Sequence, residues 1–191
     1  MVIDAGYEST VPIIEANIRT LGFKVQDVKI LLNTQAHYDH AAGFARFKKD
    51  TGAQLMVSGP DADVIERGGT RDFSFGDAHP FPAAKVDRRL KDGDTVTLDT
   101  LTLHAHVTPA PYEGLHDVAL RGHRQQPAAC TWWTCAASRC STRRASSAMP
   151  RYPDIVSDYE RTFAVLRKLQ VDIFIGAHPA HCTTGPRRPP G

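Results

Sequence analysis

Apolar and polar positions repeat with two different periods along this chain, and the change of period separates predicted helices from predicted strands. From Thr10 to Leu21 the apolar residues recur at helical spacing, with a proline in the first turn and Gly22 as a stop. Val28 to Leu32 is instead a short continuous apolar run, which is typical of a strand covered on both faces. A helix followed by a buried strand is the first indication of an α/β protein.

The same alternation of elements continues toward both ends of the chain. Helices are predicted for His40 to Thr51, Pro60 to Arg67 and Tyr159 to Leu169, and strands for Gln54 to Val57 and Val171 to Ile175. A hairpin is predicted from Val96 to Leu98 and Leu101 to His106. Gly68 to Ala84, rich in glycine and proline, is a loop long enough to be functional or partly mobile. Helices interleaved with strands predict α/β layers, with sheet packed against helices.

Length and charge narrow the class of protein. A chain of 191 residues is long enough for one buried domain, and its net charge of +2 gives no electrostatic case for nucleic acid. No apolar run reaches the ~18 residues of a membrane-spanning helix, and no basic segment followed by an apolar one marks a signal peptide. Met1 to Gly6 has the pattern of a strand's middle and its closing turn, so we expect the natural start to lie upstream.

The strongest chemical signal is the segment from Gln35 to His40, directly after the apolar run. It contains His37, Asp39 and His40 within four positions. Imidazoles and a carboxylate suit zinc, and a catalytic zinc keeps one coordination position open. A turn that follows a rigid strand can direct alternate side chains to one point, which explains the spacing. The alternative is a polar surface loop that happens to hold two histidines.

His178 is a second metal-ligand candidate. It follows the predicted strand Val171 to Ile175 and precedes a proline. Ligands in sheet-based folds collect at strand ends, so we expect His178 to meet the cluster at His37. Alone, a histidine before proline is more often an ordinary loop residue, and only its pairing with the first motif favours a ligand.

These motifs resemble the metallo-β-lactamase superfamily, and within it the third subclass of class B β-lactamases. The resemblance covers residues 2–109 and 150–179. It rests on the segments VIDAG, LLNTQAHYDHAAG, KKDTGA, RGG with DFSFGD, KDGDTVTLDTLTLHAHVTP, PRYPDIVSDYERTF and GAHP.

The resemblance implies an αββα sandwich, here without some N-terminal strands and a C-terminal helix, in one domain over residues 1–191. It also implies two zinc ions and the opening of a β-lactam ring by a metal-bound hydroxide. Gln35, His37 and one further histidine would hold the first zinc, and Asp39, His40 and His178 the second. Asp39 would also be catalytic, by orienting the hydroxide. The implied partner is a small β-lactam, with no nucleic acid or membrane, and full-length members are expected in the periplasm.

Two positions depart from the family pattern. Gln35 stands where the family usually has histidine, and an amide oxygen is a weaker zinc donor than imidazole. The family also has G-H-T-x-G-x-T-x-W after the strand that contains His106, but here Pro111 occupies the ligand's place. Proline cannot bind a metal, so the first site is expected to be incomplete. His104, His106 and His116 are the remaining candidates for the third ligand, although the first two would lie on a strand pointing elsewhere.

The interval 110–149 is anomalous. It has no acidic residue after Asp117, it contains several arginines, and its apolar periodicity vanishes, so no strand or helix is predicted there. One interpretation is a basic insertion or nucleic-acid patch. The other is a shifted reading frame, because suitable codons shifted by one base give P-H-T-K-G-C-T-T-W-R and restore the family motif. The coding DNA tests this. The tail Ala180 to Gly191 is similarly unlike the family.

The sequence therefore predicts a zinc-dependent β-lactam hydrolase, whose activity in this chain the missing ligand would impair. Two alternatives stay open. A thioester or lactone hydrolase of the same superfamily would use the same metal-bound hydroxide to attack a different carbonyl group. A non-catalytic zinc-binding remnant would follow from Pro111.

Overall fold

Two β-sheets form the centre of the protein, as seen in a computed structural model that describes residues 1–72, 75–109, 116–124, 131–135, 155–168 and 173–176. The first sheet holds four parallel strands in the order β1 (Val2–Ile3), β2 (Ile30–Leu32), β3 (Gln54–Ser58) and β4 (Arg88–Leu90). The second holds, in order, β5 (Thr95–Leu98), β6 (Leu101–Pro109), β7 (His116–Arg124), β8 (Thr131–Cys135) and β9 (Ile173–Gly176). It is antiparallel except for the parallel pair of β8 and β9.

Helices connect the parallel strands and lie on the outside. They are α1 (Val11–Thr20), α2 (Tyr38–Ala41), α3 (Phe44–Thr51), α4 (Gly59–Glu66) and α5 (Ile155–Lys168), with short 3-10 helices at Glu8–Thr10 and Val25–Asp27. Within the described ranges, no helix is long and apolar enough to cross a lipid bilayer.

The first sheet is buried on both faces. Leu31 and Leu55 pack against the helices in one apolar cluster with Phe44, whereas Ile30 and Leu32 belong to a second cluster. That second cluster is completed by residues of the other sheet, Val96, Leu103 and Ala105. Successive strand residues point to opposite faces, which is why a continuous apolar run suits β2.

The αββα order is thereby confirmed. The inner faces of the two sheets share one core, α1, α3 and α4 cover the first sheet, and α5 contacts β6 of the second. Because the inner face of β6 is covered by the first sheet, α5 covers its outer face.

Most predicted elements are present within a few residues of their expected bounds. The helix predicted over His40 to Thr51 is wrong as a single element, since it is two helices, α2 and α3, separated at Gly43. A Cβ on Gly43 would lie 2.5 Å from the Ala5 carbonyl oxygen. The turn after β1 therefore presses against the chain at this point, and the Gly43 N–H donates to Gly6 instead of continuing a helix.

The absence of strands predicted for 110–149 is also wrong. β7 and β8 lie in this interval, and β7 pairs with β6 along its whole length. Val118 and Leu120 alternate with Ala119 and Arg121, a short strand period that the arginine-rich composition hides. A segment with a weak local preference adopts strand conformation when it pairs with a long neighbouring strand, as β7 does with β6.

The turn Lys91 to Asp94 connects the two sheets at the edge where the parallel strands end. Leu90 pairs with Ser58, and through β3 it is level with Thr34, two residues after β2. Gly93 and Asp94 exchange backbone hydrogen bonds with Ala105 at 2.9 and 2.8 Å. The second half of β6 therefore passes the carboxyl edge of the first sheet, close to the start of the loop at Gln35.

Asp87, which directly precedes β4, connects this strand to β3 and to the helix α3. Its carboxylate accepts from Lys48 Nζ on α3 at 2.5 Å and from the Leu55 N–H on β3 at 2.8 Å. Burial alone would raise the pKa of Asp87, but these two donors outweigh burial and lower it. A lowered pKa stabilises the folded protein above the unfolded value near ~4, and this stabilisation is lost as the pH falls.

Asp87→Asn is expected to lower the free energy of unfolding by about 1 kcal/mol at pH 7, since the charge on the acceptor is removed. The deficit should shrink below pH ~4, where the parent carboxylate begins to be protonated. Urea unfolding at several pH values measures both effects. The control is Asp50→Asn, which removes a 3.5 Å surface pair with Arg46 and should change little. An equal deficit at pH 7 and pH 3 would contradict the role of the charge.

Candidate metal centre

The candidate centre occupies the loop from Gln35 to His40, where β2 ends and α2 begins. Gln35, His37 and His40 are buried, with 4%, 9% and 3% of their surfaces exposed, and the Asp39 side chain is partly exposed. His37 is the N-cap of α2, so its extended backbone changes direction there and places Asp39 in the first helical turn. Burying so many polar side chains is costly unless each has a partner.

His40 is fixed by residues that follow β1. Its Nδ1 lies 2.9 Å from Asp4 Oδ2, and the Asp4 carboxylate also accepts from the Thr34 N–H at 2.7 Å and hydroxyl at 2.6 Å. Because an ionised carboxylate only accepts, we assign the imidazole proton to Nδ1. Nε2 is then the accepting nitrogen, which is the arrangement of a metal-binding histidine oriented by a carboxylate.

Gln35 and Asp39 border the Nε2 atom of His40. The Gln35 amide nitrogen lies 2.6 Å from it and Asp39 Oδ2 lies 3.6 Å from it. Two ligands of a tetrahedral zinc, each ~2.1 Å from the ion, stand roughly 3.4 Å apart. A half-turn of the amide would present its oxygen to the same point. An imidazole nitrogen and a carboxylate oxygen thus border one position, where the rotated amide would add its oxygen, and this donor set fits a zinc-type ion.

His37 is turned toward a different carboxylate. Its Nε2 lies 3.8 Å from Oδ2 of Asp72, a buried residue of the loop after α4. With Nε2 facing Asp72, Nδ1 is the nitrogen on the side away from that carboxylate. Asp72 therefore has the placement of an orienting residue for His37, as Asp4 has for His40.

The predicted site residues are thus only partly brought together. Gln35, Asp39 and His40 lie around one point, whereas His37 faces Asp72. Across the part of the chain that the structure describes, no three His, Cys, Asp or Glu side chains form a group that could hold a metal. Gln35 is outside that set of residue types, and His178 lies outside the described residues.

The histidines of β6 lie on the face of the second sheet that is turned away from the metal loop. Leu103 and Ala105 are buried against the first sheet, so His104 and His106 have the opposite strand parity and belong to the outer face. His104 is exposed. The expectation that these two histidines point elsewhere is therefore confirmed.

Asp4 and Asp72 are the two residues that our sequence prediction of the site omitted. A signal for Asp4 was present, because it follows β1 as the predicted motif follows β2, and adjacent parallel strands end at one edge. Asp72 had no such signal. It reaches His37 only through the path of the loop between α4 and β4.

Aromatic rings cover the outer side of the metal loop. Tyr38 stacks on His79 with ring centroids 4.2 Å apart, and Phe75 meets the edges of His37, Tyr38 and His79 at 5.1 to 5.8 Å. Between them lies a cavity of about 10 Å³, the size of one water. The predicted functional loop Gly68 to Ala84 therefore packs directly on the candidate ligands.

Tyr7 lies beside this cover, with its ring 5.7 Å from that of Tyr38. Burial raises the pKa of the Tyr7 phenol, and the nearby Asp39 carboxylate and Tyr38 raise it further. The phenol therefore stays neutral near pH 7 and keeps its proton as a donor at the rim of the centre.

Comparisons with known proteins support this fold and identify the family. A profile described as the metallo-β-lactamase superfamily matches residues 1–124. Among solved structures, a Cronobacter sakazakii metallo-β-lactamase with an HARLDQ motif is 33% identical with a TM-score of 0.83, over 94% of this chain and 68% of that one. FEZ-1 from Legionella gormanii is 33% identical (TM-score 0.83, 94% and 69% covered). BJP-1, a subclass B3 enzyme of Bradyrhizobium japonicum, is 34% identical (TM-score 0.78, 94% and 67% covered).

A two-sheet sandwich with a metal-type loop at the sheet edge defines a metal-dependent hydrolase. This chain belongs to the metallo-β-lactamase superfamily, and its solved structural neighbours include subclass B3 enzymes. The resemblance stated from the sequence, to the superfamily and to its third subclass of class B enzymes, is therefore confirmed.

Asp4→Asn is expected to lower divalent-metal affinity about tenfold or more, which is the usual cost of losing an orienting carboxylate. Asparagine tolerates the left-handed backbone of Asp4, whose φ is 60°, so the turn should persist. Titration with Co²⁺ measures the affinity. Asp99→Asn is the matched control, because Asp99 is an exposed aspartate with a φ of 53°. Equal affinities in all three proteins would show that Asp4 does not support the metal loop.

Proposed function

We propose that this protein is a zinc-dependent hydrolase that opens the β-lactam ring, and that the periplasm is where it acts. The observation that carries the proposal is the group around His40 Nε2, where the Gln35 amide and the Asp39 carboxylate meet and Asp4 holds the ring from behind. Membership in the superfamily and the subclass B3 neighbours support the choice of reaction.

Following the family resemblance, we assign Asp39, His40 and His178 to one zinc and Gln35 and His37 to the other, so the Gln35 amide, which contacts His40 in the structure, would turn toward His37 when metal binds. The direction of the strands supports His178, which is outside the described residues. β9 runs parallel to β8 and in the same direction as β6, and its last residue Gly176 is level with His106. The chain after Gly176 therefore leaves β9 at the edge where the metal loop lies. Bound zinc would supply Lewis acidity and a more acidic water at this edge.

The chain's own residues supply orientation and shielding. Asp39, the most exposed of the candidate ligands that the structure describes, accepts a hydrogen bond from the attacking water and so directs a water lone pair at the carbonyl carbon. Asp4 holds the His40 imidazole by a 2.9 Å contact, and the Asp72 carboxylate faces His37 at 3.8 Å. Tyr38, Phe75 and His79 pack together over one side of the loop.

A non-catalytic zinc-binding remnant is the second candidate, and Pro111 is the observation that favours it. Without a ligand at that position, the first site has only Gln35 and His37. Zinc content measured together with nitrocefin turnover separates the candidates. One weakly held zinc without turnover supports the remnant, and turnover of a thioester or lactone alone supports that other hydrolase class.

The shifted frame in 110–149 is a separate proposal. Codons that allow the restored segment H-T-K-G-C-T-T-W would support it, and codons incompatible with the shifts would refute it. The strands β7 and β8 are formed by the amino-acid sequence as it stands. They do not report the reading frame, which only the coding DNA shows.

Asp39→Ala is expected to lower β-lactam turnover by about 100-fold or more, since it removes a ligand and the group that orients the water. Nitrocefin hydrolysis and zinc content are measured on the same samples. Asp63→Ala is the control, because Asp63 is an exposed aspartate that bonds Arg89 on the surface. Near-normal turnover with two zinc ions in Asp39→Ala would refute the assigned role.

Gln35→His is expected to raise zinc affinity at the first site, because imidazole is a stronger donor than a neutral amide oxygen. Competition with a zinc chelator measures retention. Gln54→His adds the same side chain at an exposed position of β3 and should leave retention unchanged. If both variants retain zinc like the parent, Gln35 is not a ligand.

A further inference from the structure

We propose that Asn33 is a positioning residue of the metal loop, the segment from Gln35 to His40, and that it acts through a buried hydrogen bond to Asp61. The inference deepens the proposed zinc function and rests on it, because it concerns how the chain holds this loop in place for the ion. Asn33 follows β2 directly and stands two positions before Gln35. Neither Asn33 nor Asp61 is among the candidate ligands.

The two side chains are enclosed in the protein. Asn33 is 1% exposed and Asp61 is 0% exposed, and the Asn33 amide nitrogen donates to Asp61 Oδ2 at 2.8 Å. Buried amide and carboxyl groups are costly unless they are hydrogen-bonded, so this bond determines how close the two backbones lie. Residues without access to solvent do not touch a substrate. What the pair supplies is therefore the position of the segments that carry it.

The bond joins the end of β2 to the start of the helix α4. Leu31 packs against the helices, and Asn33, two residues further along, lies on the same face. Asp61 lies in the first turn of α4, and its N–H donates at 3.3 Å to Oγ of Ser58, the N-cap of α4 and the last residue of β3. Since β3 pairs with β2, the bond fixes the end of β2 against the turn that follows β3.

Asn33 and Thr34 thereby hold the beginning of the metal loop from two sides. Thr34 donates to Asp4, which follows β1, through its N–H at 2.7 Å and its hydroxyl at 2.6 Å. Asn33 donates to Asp61, which follows β3. Because β1 and β3 flank β2 in the sheet, the chain that leaves β2 is held toward both neighbours before it reaches Gln35. A shift at either contact would be passed to Gln35 through the short connection between them.

The amide oxygen of Asn33 indicates that this residue does more than fill the core. Within the described residues, Oδ1 of Asn33 is buried and has no hydrogen-bond partner, which costs free energy. A leucine of similar volume would fill the same space without that cost. The hydrogen bond to Asp61 is therefore what an asparagine adds at this position.

Hydrogen exchange of the full chain, with metal removed by a chelator, tests the inference. Asn33→Leu removes the bond and keeps the volume, whereas Asn33→Ala removes both. In both variants the hydrogen-bonded amides of Thr34, His40 and Ala41 are expected to exchange about tenfold faster or more, as follows from the loss of a buried hydrogen bond. Agreement between the variants assigns the effect to the bond and not to a cavity, and Asn33→Leu keeps the test decisive if Asn33→Ala folds poorly.

Two further variants serve as controls. Asp61→Asn keeps an oxygen that accepts from Asn33, so its metal loop should exchange like that of the parent. Thr51→Ala removes a different buried polar side chain, whose hydroxyl bonds Phe47 and Ala53 shortly before β3, at the opposite edge of the sheet. Thr51→Ala should speed exchange near its own position and leave the metal loop unchanged.

Cobalt titration of the same proteins connects the loop to the metal. Asn33→Leu is expected to lower Co²⁺ affinity about tenfold, and Asp61→Asn should bind Co²⁺ like the parent. Loop exchange in Asn33→Leu that equals the parent's, or that rises equally along the whole chain, overturns the inference, and so does faster loop exchange with unchanged cobalt affinity. If the loop exchanges faster but the parent itself binds no cobalt, the zinc function is overturned and the anchoring of the loop by Asn33 stands.

Discussion

The clamp that Asp4 places on His40 is the constraint on which the rest of the site depends. The carboxylate of Asp4 accepts from Thr34 and from the His40 imidazole, while the backbone N–H groups of Ala5 and Gly6 donate to the His40 carbonyl oxygen at 2.8 and 3.1 Å. Side chain and backbone of one residue are thus held by the same turn. Once His40 is fixed, Asp39 and Gln35 are placed by short covalent connections.

This clamp exists because β1 and β2 are adjacent and parallel. Their register pairs Ile3 with Leu32, so Asp4 and the residues after β2 emerge side by side at one edge. Helices on one face and a second sheet on the other bury both strands. The apolar core therefore sets the positions of polar groups that lie just beyond it, and the tightly packed Gly43 lets the two turns approach closely.

Local pattern was sufficient to predict the layers, the hairpin and the metal loop, because each depends on periodicity or on spacing within a few residues. It was insufficient where a distant partner decides the outcome. The break at Gly43 depends on contact with Ala5, and β7 depends on pairing with β6. Asp72 approaches His37 only through tertiary structure, so no spacing in the sequence predicts the pair.

The two proposed metal sites differ in how much of the fold each one needs. His40, Asp39, Gln35 and Asp4 all belong to the first sheet and its loops, so their arrangement is independent of the interval after Pro109. In the proposed arrangement, a third ligand for the zinc held by Gln35 and His37 would come from the second sheet, where the sequence departs from the family. Loss of that ligand would therefore weaken one proposed site and leave the Asp4 contact that supports the other.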